Sequence, residues 1–293
     1  MSMAIDVRGL TVRYGDVTAL DDLTFRLEGG KIYGLLGRNG TGKTSLLSVL
    51  SAYRKPTAGA ALVGGEVPFE NPRITPHVCF VRESLDIYET DNIKYALKLG
   101  AYWRPNWDSD YAAELVERFK LPMKRSVGKL SRGMKSALGV TIGLASRAPV
   151  TVFDEAYLGM DAPSRYAFYD ELLSDYMAHP RTIVMSTHLI DEVSSLFEEV
   201  VILDQGRLVV HDEAEALRSR GASLVGPAEA VDRTVAGLTV LNEQRLGGTK
   251  SVTVYGALPS GFEQRARSEG LELGPVALQD LFVHLTSDGR ERR

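Results

Sequence analysis

The stretch from Gly37 to Thr44 has the residue types and the spacing of a phosphate-binding loop. It reads GRNGTGKT, which fits the pattern G-x-x-x-x-G-K-[ST], and it lies between an apolar run over residues 31–36 and a helical apolar spacing over residues 45–53. Glycines let backbone N–H groups wrap around a phosphate, and the N-terminus of the following helix adds a partial positive charge. This pattern predicts nucleoside triphosphate binding by Gly37, Asn39, Gly40, Thr41, Gly42, Lys43, Thr44 and Ser45.

Two side chains of this loop are suited to the chemistry of a triphosphate. Lys43 is expected to contact the outer phosphates, and the Thr44 hydroxyl is expected to coordinate Mg²⁺. A second apolar run, over residues 150–153, ends in Asp154 and Glu155. An aspartate at the end of a buried strand can hold Mg²⁺, and a glutamate beside it can orient and polarise an attacking water. The two motifs together predict nucleotide hydrolysis, with Lys43 and Glu155 as catalytic residues.

The order of predicted elements indicates two domains. Strands alternate with helices over residues 1–220, which predicts an α/β domain with a largely parallel sheet. Its beginning, residues 4–36, is β-rich, and residues 84–147 are predicted to form a helical subdomain. A glycine-bearing stretch, residues 221–226, is taken as the boundary. Residues 221–293 follow the order βαββαβ, which predicts a small ferredoxin-like α+β domain, with a frayed end over residues 287–293.

Composition excludes several classes of function. The chain has 293 residues, of which 44% are hydrophobic and 25% charged, and this is ordinary for a globular protein. Its net charge of −4 provides no general attraction to nucleic acid or to anionic lipid. Cys79 is the only cysteine, so no intrachain disulfide can form. No run approaches the roughly 18 apolar residues of a membrane span, so if the protein acts at a membrane, something else is expected to anchor it.

These motifs resemble the ATP-binding cassette (ABC) superfamily over about residues 4–220. The loop at residues 37–44 is similar to its Walker A motif, and residues 150–155 are similar to Walker B with the catalytic glutamate. The resemblance extends to a D-loop ending at Asp161, to a switch histidine at His188 and to an adenine-stacking aromatic at Tyr14. It implies that His188 contacts the γ-phosphate and that Asp161 communicates across a dimer.

Two motifs depart from the family pattern, at Arg132 and Met134 in one and at Glu83 in the other. The signature motif L-S-G-G-Q is replaced by Leu130-Ser131-Arg132-Gly133-Met134, which retains the serine and the second glycine. The resemblance implies that Ser131 donates to a γ-phosphate and that Gly133 permits close backbone approach. Glu83 stands where the family has the glutamine of the Q-loop, and by resemblance it joins the Mg²⁺ site.

The resemblance also implies the fold, the activity and the partners. It implies a P-loop ATPase core with a β-rich N-terminal subdomain and a helical subdomain, using ATP and Mg²⁺. Two such domains, identical or different, would sandwich two ATP molecules. A separate transmembrane permease would hold the chain at the cytoplasmic face of the membrane, and no nucleic acid partner is expected. The stretch at residues 103–108 and the arginine-bearing signature resemble an exporter branch, often used in drug or antimicrobial-peptide export.

Two other functions remain as alternatives. A soluble ABC-type ATPase acting on ribosomes or nucleic acid typically has two cassettes or long coiled coils, and this chain shows one cassette and no sustained heptads. A small-molecule kinase could use the same phosphate loop. It would leave the signature-like stretch, Glu155 and His188 without a role.

Overall fold

The structure is a computed structural model that describes residues 2–84, 87–256 and 258–287. It divides into two compact units, of which the first comprises residues 1–188 and 201–210 and the second residues 189–200 and 211–293. In chain order, the elements are β1 (Ile5–Tyr14), β2 (Val17–Leu27), β3 (Ile32–Leu36), α1 (Lys43–Leu50), β4 (Ala58–Val63), β5 (Val78–Arg82), α2 (Ile93–Trp103), α3 (Ser109–Arg118), α4 (Arg132–Ala145), β6 (Val150–Asp154), α5 (Ala162–Ala178), β7 (Thr182–Thr187), α6 (Ile190–Val193), β8 (Glu199–Asp204), β9 (Arg207–Glu213), α7 (Ala214–Arg218), β10 (Gly221–Pro227), α8 (Ala228–Val235), β11 (Thr239–Leu246), β12 (Thr249–Tyr255), α9 (Phe262–Ser268), β13 (Glu272–Gly274) and α10 (Leu278–Ser287).

A six-stranded sheet in the order β5-β6-β7-β3-β8-β9 carries the predicted motifs. Strands β5, β6, β7 and β3 run parallel, and every residue of β3 and of β6 is buried. Burial on both faces is why these strands appear in the sequence as uninterrupted apolar runs. The alternation of strands and helices therefore predicted the α/β core correctly.

The register of the parallel strands aligns their C-terminal ends. Arg82 lies opposite Asp154, and Asp154 lies opposite Ser186. Leu36 lies opposite Thr187 in the next strand pair. Ligands of open α/β sheets bind beyond the carboxyl ends of the strands. The residues that follow these four strand ends are therefore gathered along one edge of the sheet.

Strands β1 and β2 of the predicted β-rich beginning pair with β4 in a second, antiparallel sheet in the order β2-β1-β4, whereas β3 belongs to the main sheet. The inward residues of the antiparallel sheet join α1 and the main sheet in one hydrophobic core, to which Val7, Leu20, Leu47 and Val184 belong. The helix after the phosphate loop ends at Leu50, before the predicted end at residue 53. Cys79 is buried in β5, as its apolar surroundings predicted.

Three helices, α2 to α4, lie between β5 and β6 in the predicted helical region. Each begins at a polar residue whose side chain accepts a backbone N–H: Asn92 for α2, Asp108 for α3 and Ser131 for α4. Such caps satisfy donors that a helix N-terminus leaves unpaired. Helix α4 packs against α3, β5 and β6, so the region rests on the edge of the main sheet.

The second unit contains the predicted order βαββαβ, from β10 to β13. Its four strands form an antiparallel sheet in the order β11-β12-β10-β13, and the core beneath it includes Leu224, Val231, Val254 and Phe262. Helix α10 packs against α6 and α7. The predicted boundary stretch, residues 221–226, lies within β10, and the predicted frayed end lies outside the described residues from residue 288 onward.

No helix in the ranges that the structure describes has both the length and the apolar character needed to cross a bilayer.

Candidate functional site

The phosphate loop follows β3 and ends at Lys43, the first residue of α1. The Lys43 side chain is buried, and its Nζ donates to the carbonyl oxygens of Gly37 at 2.6 Å and of Arg38 at 3.0 Å. Burial lowers the pKa of Lys43, and the carboxylates of Glu155 and Asp154 oppose that shift. The ammonium is thus held inside the loop, where a bound phosphate could replace the two carbonyl oxygens as its partner.

Two glycines of the loop are required by its geometry. Gly42 has a φ of 100°, and a Cβ there would lie 2.4 Å from the carbonyl oxygen of Ala19. A Cβ at Gly37 would lie 2.4 Å from Oγ1 of Thr41, whose hydroxyl donates to the Arg38 carbonyl at 2.8 Å. The loop is therefore already folded into a tight turn. Its exposed members are Arg38, Asn39, Gly40 and Thr44.

Asp154, at the end of β6, is buried and hydrogen-bonded across the sheet. Ser186 Oγ donates to Asp154 Oδ1, because the strand register places these two residues side by side. Ser186 has no exposed surface, so its hydroxyl is committed to this contact. Sequence reasoning missed this residue. The available signal was a polar residue near the end of the apolar strand Thr182–Thr187.

Glu155 and His188 meet where β6 and β7 end. Glu155 has a φ of 51°, and its N–H donates to the Ser186 carbonyl at 3.3 Å. This turn places Glu155 Oε1 3.3 Å from Nδ1 of His188. Both side chains reach solvent, with exposed fractions of 26% for Glu155 and 51% for His188. The structure thus brings together the glutamate predicted to act on water and the histidine that the family resemblance assigns to the γ-phosphate.

A cavity of about 620 Å³ joins several of these residues. Thr44, Asp154 and Glu155 form one part of its wall. The rest of the wall is formed by Arg82, Glu83, Ser84, Ile87, Glu89, Val127, Leu130, Arg132 and Lys135. Across this second part, the Arg132 guanidinium forms an ion pair with the Glu83 carboxylate. The cavity therefore contains all three residues predicted for the Mg²⁺ site.

The donor set on this wall fits Mg²⁺. Among the described residues, no cluster of three or more His, Cys, Asp or Glu side chains is placed to hold a metal ion. Mg²⁺ does not require such a cluster, because it keeps several waters and binds through one or two carboxylates together with substrate phosphates. Thr44 and Asp154 supply hard oxygen donors beside the cavity.

The predicted signature and D-loop residues lie at helix starts. Ser131 Oγ accepts the Met134 N–H at 3.2 Å and keeps its own proton free to donate elsewhere. Asp161 accepts the Ser164 N–H at 3.0 Å and caps α5, and hydrogen bonds from Ser164 lower the pKa of Asp161. Neither side chain lines the cavity. Both are exposed at the surface.

Gly133 has a contact that requires its small size. A Cβ at this position would lie 2.9 Å from the carbonyl oxygen of Gly159, so the start of α4 and the loop after β6 approach each other closely.

The half-exposed ring of Tyr14, at the end of β1, lies beside the phosphate loop. Its hydroxyl lies 3.3 Å from Oγ of Ser45, and 46% of the residue is exposed. The Arg54 guanidinium lies 3.6 Å from the ring centroid, and its Nη2 donates to the Arg13 carbonyl at 2.6 Å. Such a cation–π contact holds one face of the ring. Sequence reasoning did not identify Arg54, whose position depends on how the segment after α1 returns to β1.

A phosphate loop after one parallel strand and an acidic pair after another define a P-loop ATPase. A family model described as ABC transporter matches residues 20–158. The Nod factor export ATP-binding protein I of Burkholderia lata is 30% identical over 300 residues, which cover 98% of this chain and 97% of that protein. The doxorubicin resistance ATP-binding protein DrrA of Mycobacterium tuberculosis is 30% identical over 226 residues, or 74% of this chain and 68% of that protein. The daunorubicin resistance ATP-binding protein DrrA3 of Streptomyces coeruleorubidus is 29% identical over 98% of this chain and 97% of that protein.

Solved structures show the same fold. An ATP-binding subunit of an ABC transporter superposes with a TM-score of 0.67 at 23% identity, over 73% of this chain and 92% of that one. A dimeric bacterial ABC transporter cassette gives a TM-score of 0.65 at 18% identity, over 72% of this chain and 98% of that one. The chain belongs to the ABC transporter family. The prediction of an ATP-binding, ATP-hydrolysing subunit of this family is confirmed.

Proposed function

We propose that this chain hydrolyses ATP to drive export through a separate membrane permease, at the cytoplasmic face of the membrane. The observation that carries the proposal is that Lys43, Thr44, Asp154, Glu155 and His188 gather at one edge of the parallel sheet. Full-length relatives named for Nod factor export and for daunorubicin resistance support the direction of transport. They favour this proposal over a ribosomal or nucleic acid role.

Phosphate binding is assigned to the loop and to Lys43. Backbone N–H groups at the start of α1 point toward the site of an anion, and the helix dipole favours negative charge there. Lys43 Nζ already lies within hydrogen-bond distance of the Gly37 carbonyl, so it exchanges one oxygen partner for another on binding. Tyr14 supplies the ring on which adenine would stack.

Thr44 and Asp154 would hold Mg²⁺, and the Glu83 carboxylate would accept a hydrogen bond from a water of its hydration shell. When bound, Mg²⁺ neutralises phosphate charge and orients the reacting phosphate. Ser186 fixes the Asp154 carboxylate from inside the sheet, which keeps the carboxylate at the cavity wall.

The hydrolytic step is assigned to Glu155. Its carboxylate orients the attacking water and accepts its proton. His188 lies within 3.3 Å of that carboxylate and both positions Glu155 and contacts the γ-phosphate. The polar groups of the site stabilise the charge that develops on the phosphate oxygens.

The active assembly is proposed to contain a second nucleotide-binding subunit, identical or different. Ser131, at the exposed start of α4, would donate to the γ-phosphate held by the partner, and Gly133 keeps the backbone there compact. Asp161 lies exposed at the start of α5, where a partner subunit could contact it. Dimeric cassettes of the same fold support this arrangement.

We propose residues 1–220 as the nucleotide-binding domain and residues 221–293 as an accessory ferredoxin-like domain. The βαββαβ order and the antiparallel strand order β11-β12-β10-β13 support the assignment of the tail.

Two measurements test the proposed function. The purified chain should release phosphate from ATP in the presence of Mg²⁺ without any phosphoryl acceptor, and a requirement for an acceptor would identify a kinase instead. The tagged chain should also co-purify with a membrane protein in fixed stoichiometry from detergent-solubilised membranes. Recovery with ribosomes, and with no membrane protein, would overturn the transport proposal.

A further inference from the structure

Two of the residues at which this sequence departs from the pattern of its family, Glu83 and Arg132, contact each other. Glu83 follows the end of β5, and Arg132 is the first residue of α4. Their side chains form an ion pair on the wall of the 620 Å³ cavity. A family pattern with glutamine and glycine at these positions could not form such a pair. The two substitutions are therefore structurally linked.

The pair lies beside the residues assigned to Mg²⁺. Thr44 and Asp154 line the same cavity as Glu83 and Arg132. Glu83 is 43% exposed and Arg132 is 68% exposed, so neither side chain is fixed by burial. Exposed ion pairs add little to folding stability. A free glutamate at position 83 would sample several rotamers, whereas a guanidinium partner restricts it to one region of the wall.

A second ion pair on the same wall provides an internal comparison. Lys135, one turn further along α4, lies 3.5 Å from Glu89. It carries the same charge as Arg132 and lines the same cavity, but its partner is a different carboxylate. If positive charge on α4 alone influenced the Mg²⁺ site, Lys135 and Arg132 would have similar effects. If the position of the Glu83 carboxylate matters, only Arg132 should have an effect.

We propose that Arg132 is a positioning residue for Glu83. Through the ion pair it holds the Glu83 carboxylate on the part of the cavity wall from which it can accept a hydrogen bond from a Mg²⁺-bound water. The pair also ties the start of α4, which bears Ser131, to the loop after β5. This inference rests on the proposed Mg²⁺-dependent ATP site and assigns a new role to Arg132 within it.

The experiment measures ATP binding rather than turnover. ATP affinity is titrated by calorimetry at a series of free Mg²⁺ concentrations, and the Mg²⁺ concentration at half-maximal enhancement is compared between variants. Glu83→Ala should raise this midpoint about threefold to tenfold, the size expected for the loss of one typical hydrogen bond. In an Arg132→Ala background, the same change at position 83 should shift the midpoint by less than about twofold, because the carboxylate is no longer held in place.

Control variants separate positioning from charge. In a Lys135→Ala background, Glu83→Ala should keep its full effect, and Arg132→Lys should restore part of the effect that Arg132→Ala removes. Equal shifts from Glu83→Ala in the wild-type and Arg132→Ala backgrounds would overturn the positioning role and leave the Mg²⁺ site intact. Absence of any shift from Glu83→Ala in the wild-type background would overturn both the assignment of Glu83 and the proposal. Failure to bind ATP at all would contradict the proposed function itself.

Discussion

Nδ1 of His188 lies 3.3 Å from Oε1 of Glu155. The two residues follow β7 and β6, which are neighbours in the sheet, so the contact is a direct result of parallel strands ending at the same edge. Glu155 turns toward the histidine through a backbone with positive φ, a conformation that non-glycine residues adopt infrequently. The unusual backbone and the contact together fix the carboxylate beside the phosphate loop.

Replacement of Glu155 by glutamine should separate binding from hydrolysis. We expect Glu155→Gln to bind ATP normally, because the amide keeps the shape of the carboxylate, but to lose at least about a hundredfold in turnover, or about 2.7 kcal/mol in the barrier. Phosphate release and ATP affinity are the measurements. Glu89→Gln, which removes a carboxylate elsewhere on the cavity wall, serves as the matched control. Turnover at the wild-type rate would remove Glu155 from the catalytic role.

His188 should act on hydrolysis through Glu155 as well as through phosphate. We expect His188→Ala to lower turnover about tenfold to a hundredfold, a size typical of losing one acid–base or positioning group. Because the two residues act as a unit, His188→Ala should cost much less when Glu155 is already glutamine. The test compares single-turnover rates of four proteins: the wild type, His188→Ala, Glu155→Gln and the double variant. Independent, multiplicative losses would show that the 3.3 Å contact has no catalytic role.

The hydroxyl of Ser186 should matter for stability. Ser186→Ala leaves the buried Asp154 without its hydrogen-bond donor, so we expect the free energy of unfolding to fall by about 1–3 kcal/mol. Urea denaturation without nucleotide measures this change. Ser219→Ala is the control, because that exposed hydroxyl only donates to a carbonyl within its own helix end, and it should change stability by less than about 0.5 kcal/mol. An equal response of the two variants would contradict the role of the Ser186 contact.

The contact between Arg54 and Tyr14 should contribute to binding of the nucleobase and not to binding of the phosphates. Loss of one cation–π contact corresponds to about 0.5–1 kcal/mol, so we expect Arg54→Ala to weaken ATP binding about twofold to fivefold. The affinity for inorganic tripolyphosphate, which has no base, should stay unchanged. Lys55→Ala removes the next cation along the chain and controls for net charge. Equal weakening of both ligands by Arg54→Ala would indicate a phosphate contact instead.

Chemistry that lies in contiguous residues could be predicted from the sequence. The phosphate loop and the pair Asp154-Glu155 are local patterns, and their strand context is visible as apolar runs. The contact of Ser186 with Asp154 depends on which strands are neighbours and on their register. The ion pair of Arg132 with Glu83 likewise depends on how α4 packs against the end of β5. Such contacts are set by tertiary packing, which no local pattern specifies.

The structural role of a glycine was the hardest feature to predict from the sequence. The glycines at 221 and 226 lie in the stretch predicted as the domain boundary, and in the structure both are part of β10. A Cβ at Gly221 would lie 2.2 Å from the Val254 carbonyl oxygen, and one at Gly226 would lie 2.5 Å from the Leu271 side chain. Their small size therefore serves close packing in a sheet. A turn and a close approach require the same residue, and only the surrounding structure distinguishes them.

The ion pair between Glu83 and Arg132 also limits the routes by which this sequence can evolve. Replacing either residue alone leaves an unpartnered charge beside the nucleotide site, whereas replacing both removes the pair as a whole. The effects of substitutions at the two positions should therefore be non-additive, so a change at one position alters which residues suit the other. Among descendants of this chain, positions 83 and 132 should be inherited and lost together.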